Sequence, residues 1–250
     1  MSLGKNKLKY IRSLKDKKFR DKHGTFIAEG NKLVSDLLLC MKCRLLVAIP
    51  GFLSKLDVAG VEEVIEVSGS QLAQASFLKN PNQALAVFYR PKEQEKINID
   101  SQLVLALDGI QDPGNLGTIV RLADWYGIKH IFCSHDTADV YNPKVVQATM
   151  GALARVAVHY ADLAGFLDNN KHIPVYGTLL DGKSMYEQDI TSHGIIVMGN
   201  EGKGIRPDIE KRITGKLYIP NYPEGSITSE SLNVAIATAI VCAEFRRRNR

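Results

Sequence analysis

Apolar positions recur along this chain with two different rhythms, and the change of rhythm divides it. Between residues 5 and 90 the stretches are short and mixed. Asn31 to Met41 has helical spacing, Leu45 to Ile49 and Val61 to Val67 read as short strands, Ser70 opens a helical stretch, and Ala84 to Tyr89 reads as a strand. This predicts a small α/β unit over 1–90. Residues 91–100, opening on Pro91, are polar and break the periodicity, which makes them the expected linker. From residue 101 strands and helices alternate regularly. Leu103 to Leu107, His130 to Cys133, Pro174 to Leu180, Ile195 to Met198 and Leu217 to Ile219 read as strands. Helices are expected over Leu116 to Tyr126, Pro143 to Ala154 and Leu232 to Phe245. Such alternation over 101–250 predicts a largely parallel sheet covered on both faces.

Composition narrows the class. With 45% apolar and 24% charged residues among 250, the chain reads as an ordinary globular protein. It contains no apolar run of the ~18 residues that a spanning helix needs. Lys5-Asn6-Lys7 follows Met1-Ser2-Leu3-Gly4 without an apolar stretch, so the expectation is a cytoplasmic protein with no secretory signal and no membrane partner. Cys40 and Cys43 form a C-x-x-C, but Cys133 and Cys242 stand alone, and no histidines complete a zinc set. Reduced structural thiols and no metal are expected.

Charge adds a partner. The net charge of +5 conceals an uneven distribution: residues 1–24 hold nine Lys or Arg against two Asp, and Arg246-Arg247-Arg248-Asn249-Arg250 ends the chain. Two basic clusters on a slightly acidic body favour a polyanion, most simply nucleic acid.

Ligands of parallel sheets bind beyond the carboxyl ends of strands, which singles out three loops. Residues 108–115 follow a strand and open a helix, a setting for anion binding, but Gly114 and Gly117 do not make G-x-G-x-x-G. In Met198-Gly199-Asn200-Glu201-Gly202-Lys203-Gly204 the glycines would let backbone approach a ligand, yet a P-loop fails on spacing and on the missing hydroxyl. The third loop, from Ile219-Pro220 to Ser231-Leu232-Asn233, leads into a helix of small residues, with Glu230 or Ser231 as possible caps. Ser231 lacks a G-x-S-x-G setting and paired His and Asp, which argues against a serine hydrolase.

Together these loops resemble the signature motifs of the SpoU, or TrmH-like, branch of the SPOUT RNA methyltransferases. The resemblance rests on Asn115-Leu-Gly117-Thr-Ile-Val-Arg121, on Val197-Met-Gly199-Asn-Glu201-Gly202-Lys-Gly204, and on Ile219-Pro220 with Ser231-Leu232-Asn233-Val234, in family order. The segment Asn142-Pro143 to Gly151-Ala152 is also similar. In the first half, Leu14 to Arg20 and Phe26 to Gly30 resemble the L30e-type substrate-binding domain of many rRNA members.

The resemblance implies methyl transfer from S-adenosylmethionine to a ribose 2′-hydroxyl in RNA, by a homodimer whose C-terminal α/β domain carries a deep trefoil knot. It places the donor around Gly199, Ile219 and Leu232, and the catalytic cluster on Asn115, Arg121, Glu201, Ser231 and Asn233. For Arg121 two roles stay open, general base or phosphate anchor; in the second, Glu201 and Asn233 would fix Arg121 and the loops by hydrogen bonds. The L30e-like half leans towards rRNA over tRNA, and a catalytically silent RNA-binding protein is the alternative. One departure is the loop between Pro220 and Ser231, longer here than in the pattern.

Overall fold

The computed structural model describes residues 3–91, 97–223 and 226–248. Residues 92–96 of the expected linker, Glu224 and Gly225 of the third loop, and Asn249 and Arg250 of the terminal basic cluster lie outside the described residues.

In chain order the first elements are α1 (Lys5–Ser13), α2 (Lys17–His23), β1 (Thr25–Glu29), α3 (Asn31–Leu38), β2 (Cys43–Ala48), α4 (Pro50–Leu53), β3 (Val64–Glu66), α5 (Gly69–Ala75) and β4 (Ala84–Tyr89). Then come β5 (Leu103–Asp108), α6 (Pro113–Trp125), β6 (His130–Cys133), α7 (Pro143–Ala148), β7 (Ala157–Tyr160), α8 (Leu163–Asn169) and β8 (Val175–Ser184). The chain closes with β9 (Gly194–Gly199), α9 (Pro207–Glu210), β10 (Gly215–Tyr218) and α10 (Val234–Arg248).

These elements fall into two units: Met1–Glu93 with Asp139–Ala154, and Gln94–Ala138 with Arg155–Arg250. The first is built on a mixed sheet of order β1-β4-β2-β3, antiparallel except for the β2/β3 pair. Alternation along β1 and β4 sends Ile27, Leu85 and Val87 to one face, where Ile11 and Leu14 of the basic N-terminal segment close the core. Phe26 and Phe88, paired in register, take the opposite face. That face meets α3 and α7, so a helix from far along the chain helps to cover the first sheet. Asp139–Ala154 is anchored there by Tyr141, whose ring lies 4.9 Å from that of Phe26. Arg20, only 2% exposed, adds a second anchor by donating from Nη2 to Asp139 Oδ2 at 2.6 Å and from Nη1 to the Leu14 and Lys15 carbonyls.

The second unit holds the expected parallel sheet: six strands, order β10-β8-β9-β5-β6-β7, every pair parallel. Sequence order runs outward from β5 through β6 to β7 on one side and returns through β8 and β9 on the other. The topological switch point therefore lies between β5 and β9.

Two sequence expectations are corrected. The helix expected over Pro143–Ala154 ends at Ala148, because Met150 (φ 51°) and Gly151 (φ 93°) turn left-handed before a short 3-10 turn at Ala152–Ala154. Gly151 is required there, since a Cβ would lie 2.7 Å from Asp36 Oδ2. Strand β7 and helix α8 have no counterpart in the sequence reading; β7 is an edge strand, half-exposed along its length, so it carries no clear alternation.

Candidate active site

Asp112 opens α6 by accepting from the Asn115 N–H at 2.8 Å, with Pro113 at the first helical position, where its missing N–H costs nothing. Asn115 thus sits in the first turn, beside the carboxyl end of β5. Its Nδ2 donates to Glu201 Oε1 at 3.0 Å, and its Oδ1 accepts from Asn233 Nδ2 at 2.9 Å. The amide orientation follows from these partners: turned over, it would set two NH2 groups face to face and an oxygen against a carboxylate. The three side chains come from the loops after β5, β9 and β10 and converge at the switch point.

Each of the outer two is held by its own loop. Asn233 is the cap of α10, its Oδ1 accepting from the N–H groups of Ala235 (3.0 Å) and Ile236 (3.3 Å). Capping therefore belongs to Asn233, not to the expected Glu230 or Ser231. Glu201 rides a tight glycine loop closed by two hydrogen bonds between the backbones of Asn200 and Gly204, at 3.0 and 2.9 Å. Gly199 is explained by that closure, because a Cβ there would stand 2.4 Å from Gly204 C and Ile205 N. The close approach that demands this glycine is the loop's own.

Arg121 and Ser231 stand apart. Both are exposed, and among the described residues neither makes a hydrogen bond or ion pair. The expectation that Glu201 and Asn233 fix Arg121 is corrected: within one chain they fix Asn115. Arg121 shares the outward stripe of α6 with Gly114, Thr118 and Trp125, whose 3–4 residue spacing puts them on one helix face.

A cavity of about 1190 Å³ opens at the carboxyl ends of β8 and β10, between Leu180, Tyr186, Tyr218, Pro220, Asn221 and Thr228. Tyr218 and Pro220 flank the half-buried Ile219. Leu232 is 50% exposed and, like Gly199, does not line this cavity. The lining is mostly polar, with Lys183, Glu187, Gln188, Asn221 and Ser229 beside the apolar and aromatic surface of Leu180, Tyr186 and Pro220. Such groups offer hydrogen bonds and a charge partner to a nucleoside carrying a charged tail, so the residues present fit the expected methyl donor.

The basic clusters separate on inspection. Lys5, Lys9, Lys15, Lys17, Lys18 and Lys22 are exposed on the N-terminal helices and their connection, and have no ion-pair partner among the described residues. The C-terminal arginines are instead committed internally. Arg246 donates to the Tyr126 carbonyl at 2.7 Å, and Arg247 and Arg248 bind Glu244, while Arg248 also donates to the Met185 and Tyr186 carbonyls. Hydrogen bonds from Arg247, then Arg248, hold the Glu244 carboxyl down at about 2. Cys43, Cys133 and Cys242 are buried and Cys40 is exposed; burial pushes Cys43 and Cys242 up to about 12. Among the described residues no cluster of three or more His, Cys, Asp or Glu could hold a metal, and no helix is long and apolar enough to cross a membrane.

Missed by sequence reasoning were Asp108, Asn200 and Arg206, which tie the glycine loop to β5. A charge closing the apolar run Leu103–Leu107 was the available signal.

Comparison with known proteins agrees with this geometry. The SpoU rRNA Methylase family profile matches residues 102–243, and that of the MRM3-like substrate binding domain matches residues 5–86. The chain is 30% identical to the 23S rRNA (guanosine(2553)-2'-O)-methyltransferase RlmP of Bacillus subtilis, with 96% of each chain covered. Among solved structures, a putative RNA methyltransferase of the TrmH family from Porphyromonas gingivalis is 42% identical, with TM-score 0.91 over 99% of this chain and 100% of that one. An AdoMet-bound rRNA methyltransferase from Sinorhizobium meliloti is 30% identical, with TM-score 0.87 over 99% and 97%.

Proposed function

The chain belongs to the SpoU rRNA methylase family, and on that footing we propose that it transfers a methyl group from S-adenosylmethionine to a ribose 2′-hydroxyl of ribosomal RNA. The observation that carries this reading is the hydrogen-bonded chain Asn233–Asn115–Glu201 at the sheet's switch point. A silent RNA-binding protein would have no need to hold three polar side chains from three loops in register.

The donor supplies an electrophilic methyl group on a sulfonium, and it would be held around Ile219, Leu232 and the backbone at Gly199. Alignment of the 2′-oxygen with that methyl group supplies much of the acceleration in such a displacement. Asn233 fixes the start of α10 and holds Asn115 at the mouth of α6, and Glu201 is the carboxylate that Asn115 orients. Arg121 is a phosphate anchor in this reading, because a guanidinium stays protonated and an exposed, unpaired one is free to grip a phosphate bidentately. Ser231 stands in the same motif and is assigned to the substrate side.

The first unit is the RNA-binding part, its six unpaired lysines meeting backbone phosphates; its mixed sheet supports the L30e-type reading. A homodimer is supported by exposed apolar surface on the second unit, where Trp125 of α6 (84% exposed) lines one pocket with Ile240 of α10. The trefoil knot and a cytoplasmic location are assigned from family membership and from the substrate.

The test is incubation with labelled S-adenosylmethionine and, separately, undermethylated rRNA and tRNA, with Arg121→Ala beside the wild type. Alkali-stable label in the rRNA pool, lost in the variant while donor binding persists, is the expected result. Label confined to tRNA overturns the substrate assignment, and wild-type turnover by Arg121→Ala removes the anchor.

A further inference from the structure

Asp108 closes β5 with its carboxylate almost wholly buried, 1% exposed, and one residue answers it twice. The backbone N–H of Arg206 donates to Asp108 Oδ2 at 2.8 Å, and Arg206 Nη2 lies 2.6 Å from Oδ1. The other charges facing this guanidinium are Asp136, 3.9 Å from Nη1 and half-exposed, and Asp208. Arg206 ends the loop that begins at Asn200, and Asn200 is tied to the same strand end, its Nδ2 donating to the Gly109 carbonyl at 2.6 Å. The Asn200 Oδ1 collects the N–H groups of Gly202 and Lys203, each at 3.0 Å. The loop carrying Glu201 is therefore pinned at both ends to the residues that lead from β5 towards Asn115.

The carboxylate of this pair is buried while the Arg206 side chain is 47% exposed, and burying a charge is a poor way to gain stability alone, since well-packed apolar side chains do as well or better. It does fix geometry, because a buried carboxylate tolerates no arrangement that leaves it unpaired. The loop it fixes here is the one whose register decides whether Glu201 meets Asn115. We propose that Asp108 and Arg206 are positioning residues for methyl transfer, locking the 200–206 loop so that Glu201 stays on Asn115. This rests on the reading of Asn115, Glu201 and Asn233 as the reaction centre.

The test uses the full chain, with single-turnover methylation rates and RNA KM for Arg206→Ala, Arg206→Lys, Asp108→Asn, Glu201→Gln and the double variant Glu201→Gln with Arg206→Ala. Melting temperatures are taken alongside. Displacing a positioned group by about 1 Å costs on the order of 100-fold, so Arg206→Ala is expected to slow the rate by about 10- to 100-fold with RNA KM nearly unchanged. Arg206→Lys, which keeps the charge, recovers part of the rate and serves if the alanine variant does not fold. On the Glu201→Gln background the Arg206 change should add under about twofold, because coupled residues are non-additive. An equal loss on both backgrounds overturns the proposal. So does a raised RNA KM with a shallower salt dependence, which would make Arg206 a direct phosphate contact. Wild-type turnover by Glu201→Gln instead sinks the reaction-centre reading, a failure distinct from additivity.

Discussion

Asn115 shows how much one side chain can be asked to do. Its backbone completes the cap made by Asp112, and its amide joins a donor on one side to an acceptor on the other. No other residue type of that size offers both roles at once: aspartate accepts only, and leucine neither. Asn115→Asp would set a carboxylate against Glu201 while keeping volume and cap. The expected outcome is a turnover loss of about 100-fold. The accompanying stability change is about 1 kcal/mol, the scale of one hydrogen bond, read from turnover and thermal melting on the same sample. Near-normal turnover would take Asn115 out of the reaction centre. At this scale the sequence was informative where a motif named the residue: Asn115, Glu201 and Asn233 do meet. It was silent on Asp108, Asn200 and Arg206, whose roles depend on which loops the sheet order brings side by side.

Elements were legible in proportion to their burial. Ala84–Tyr89 and His130–Cys133 have the limits expected from the sequence because apolar runs buried in a sheet interior end where solvent begins. The edge strand β7 has no such contrast, with His159 and Tyr160 half-exposed on it, so periodicity passes it by. Helix α10 is a different case. Its inward positions Val234, Thr238, Val241 and Phe245 pack in the core, yet Ile236 remains 54% exposed. Trp125, on the outward stripe of α6, is 84% exposed and lines a pocket with Ile240 of α10, apolar surface that a solitary subunit gains nothing by exposing. Removing a tryptophan from the centre of an interface costs about 2 kcal/mol or more, so Trp125→Glu should weaken self-association by at least about 30-fold. Sedimentation equilibrium of wild type and variant reads this directly, and an unchanged mass distribution would place the interface elsewhere.

Across the whole molecule, chain order and folding unit part company at one segment. Nothing in residues 1–91 announces that their sheet is finished by Asp139–Ala154, since the complementarity is between side chains far apart in the chain. The dependence is nonetheless physical. Phe26 packs at a tilt against Tyr141, Arg90 lies 4.8 Å over the same ring, and the buried Arg20 pairs with Asp139. Without the segment, Arg20 is a buried guanidinium lacking its carboxylate, a loss of about 3–5 kcal/mol, and each uncovered large apolar side chain forfeits about 1.5–3 kcal/mol more. Domains of this size have a margin of about 5–15 kcal/mol, so those losses consume much of it. A fragment ending at residue 91 should therefore bind a hydrophobic dye and melt without a sharp transition. The same fragment joined by a flexible Gly/Ser linker to residues 139–154 should melt cooperatively. If the short fragment melts as sharply and as high as the joined one, the first sheet needs no cover from the second half. A cooperative transition regained only with 139–154 present would mean that the first unit cannot be completed until the first strands of the second unit have been made.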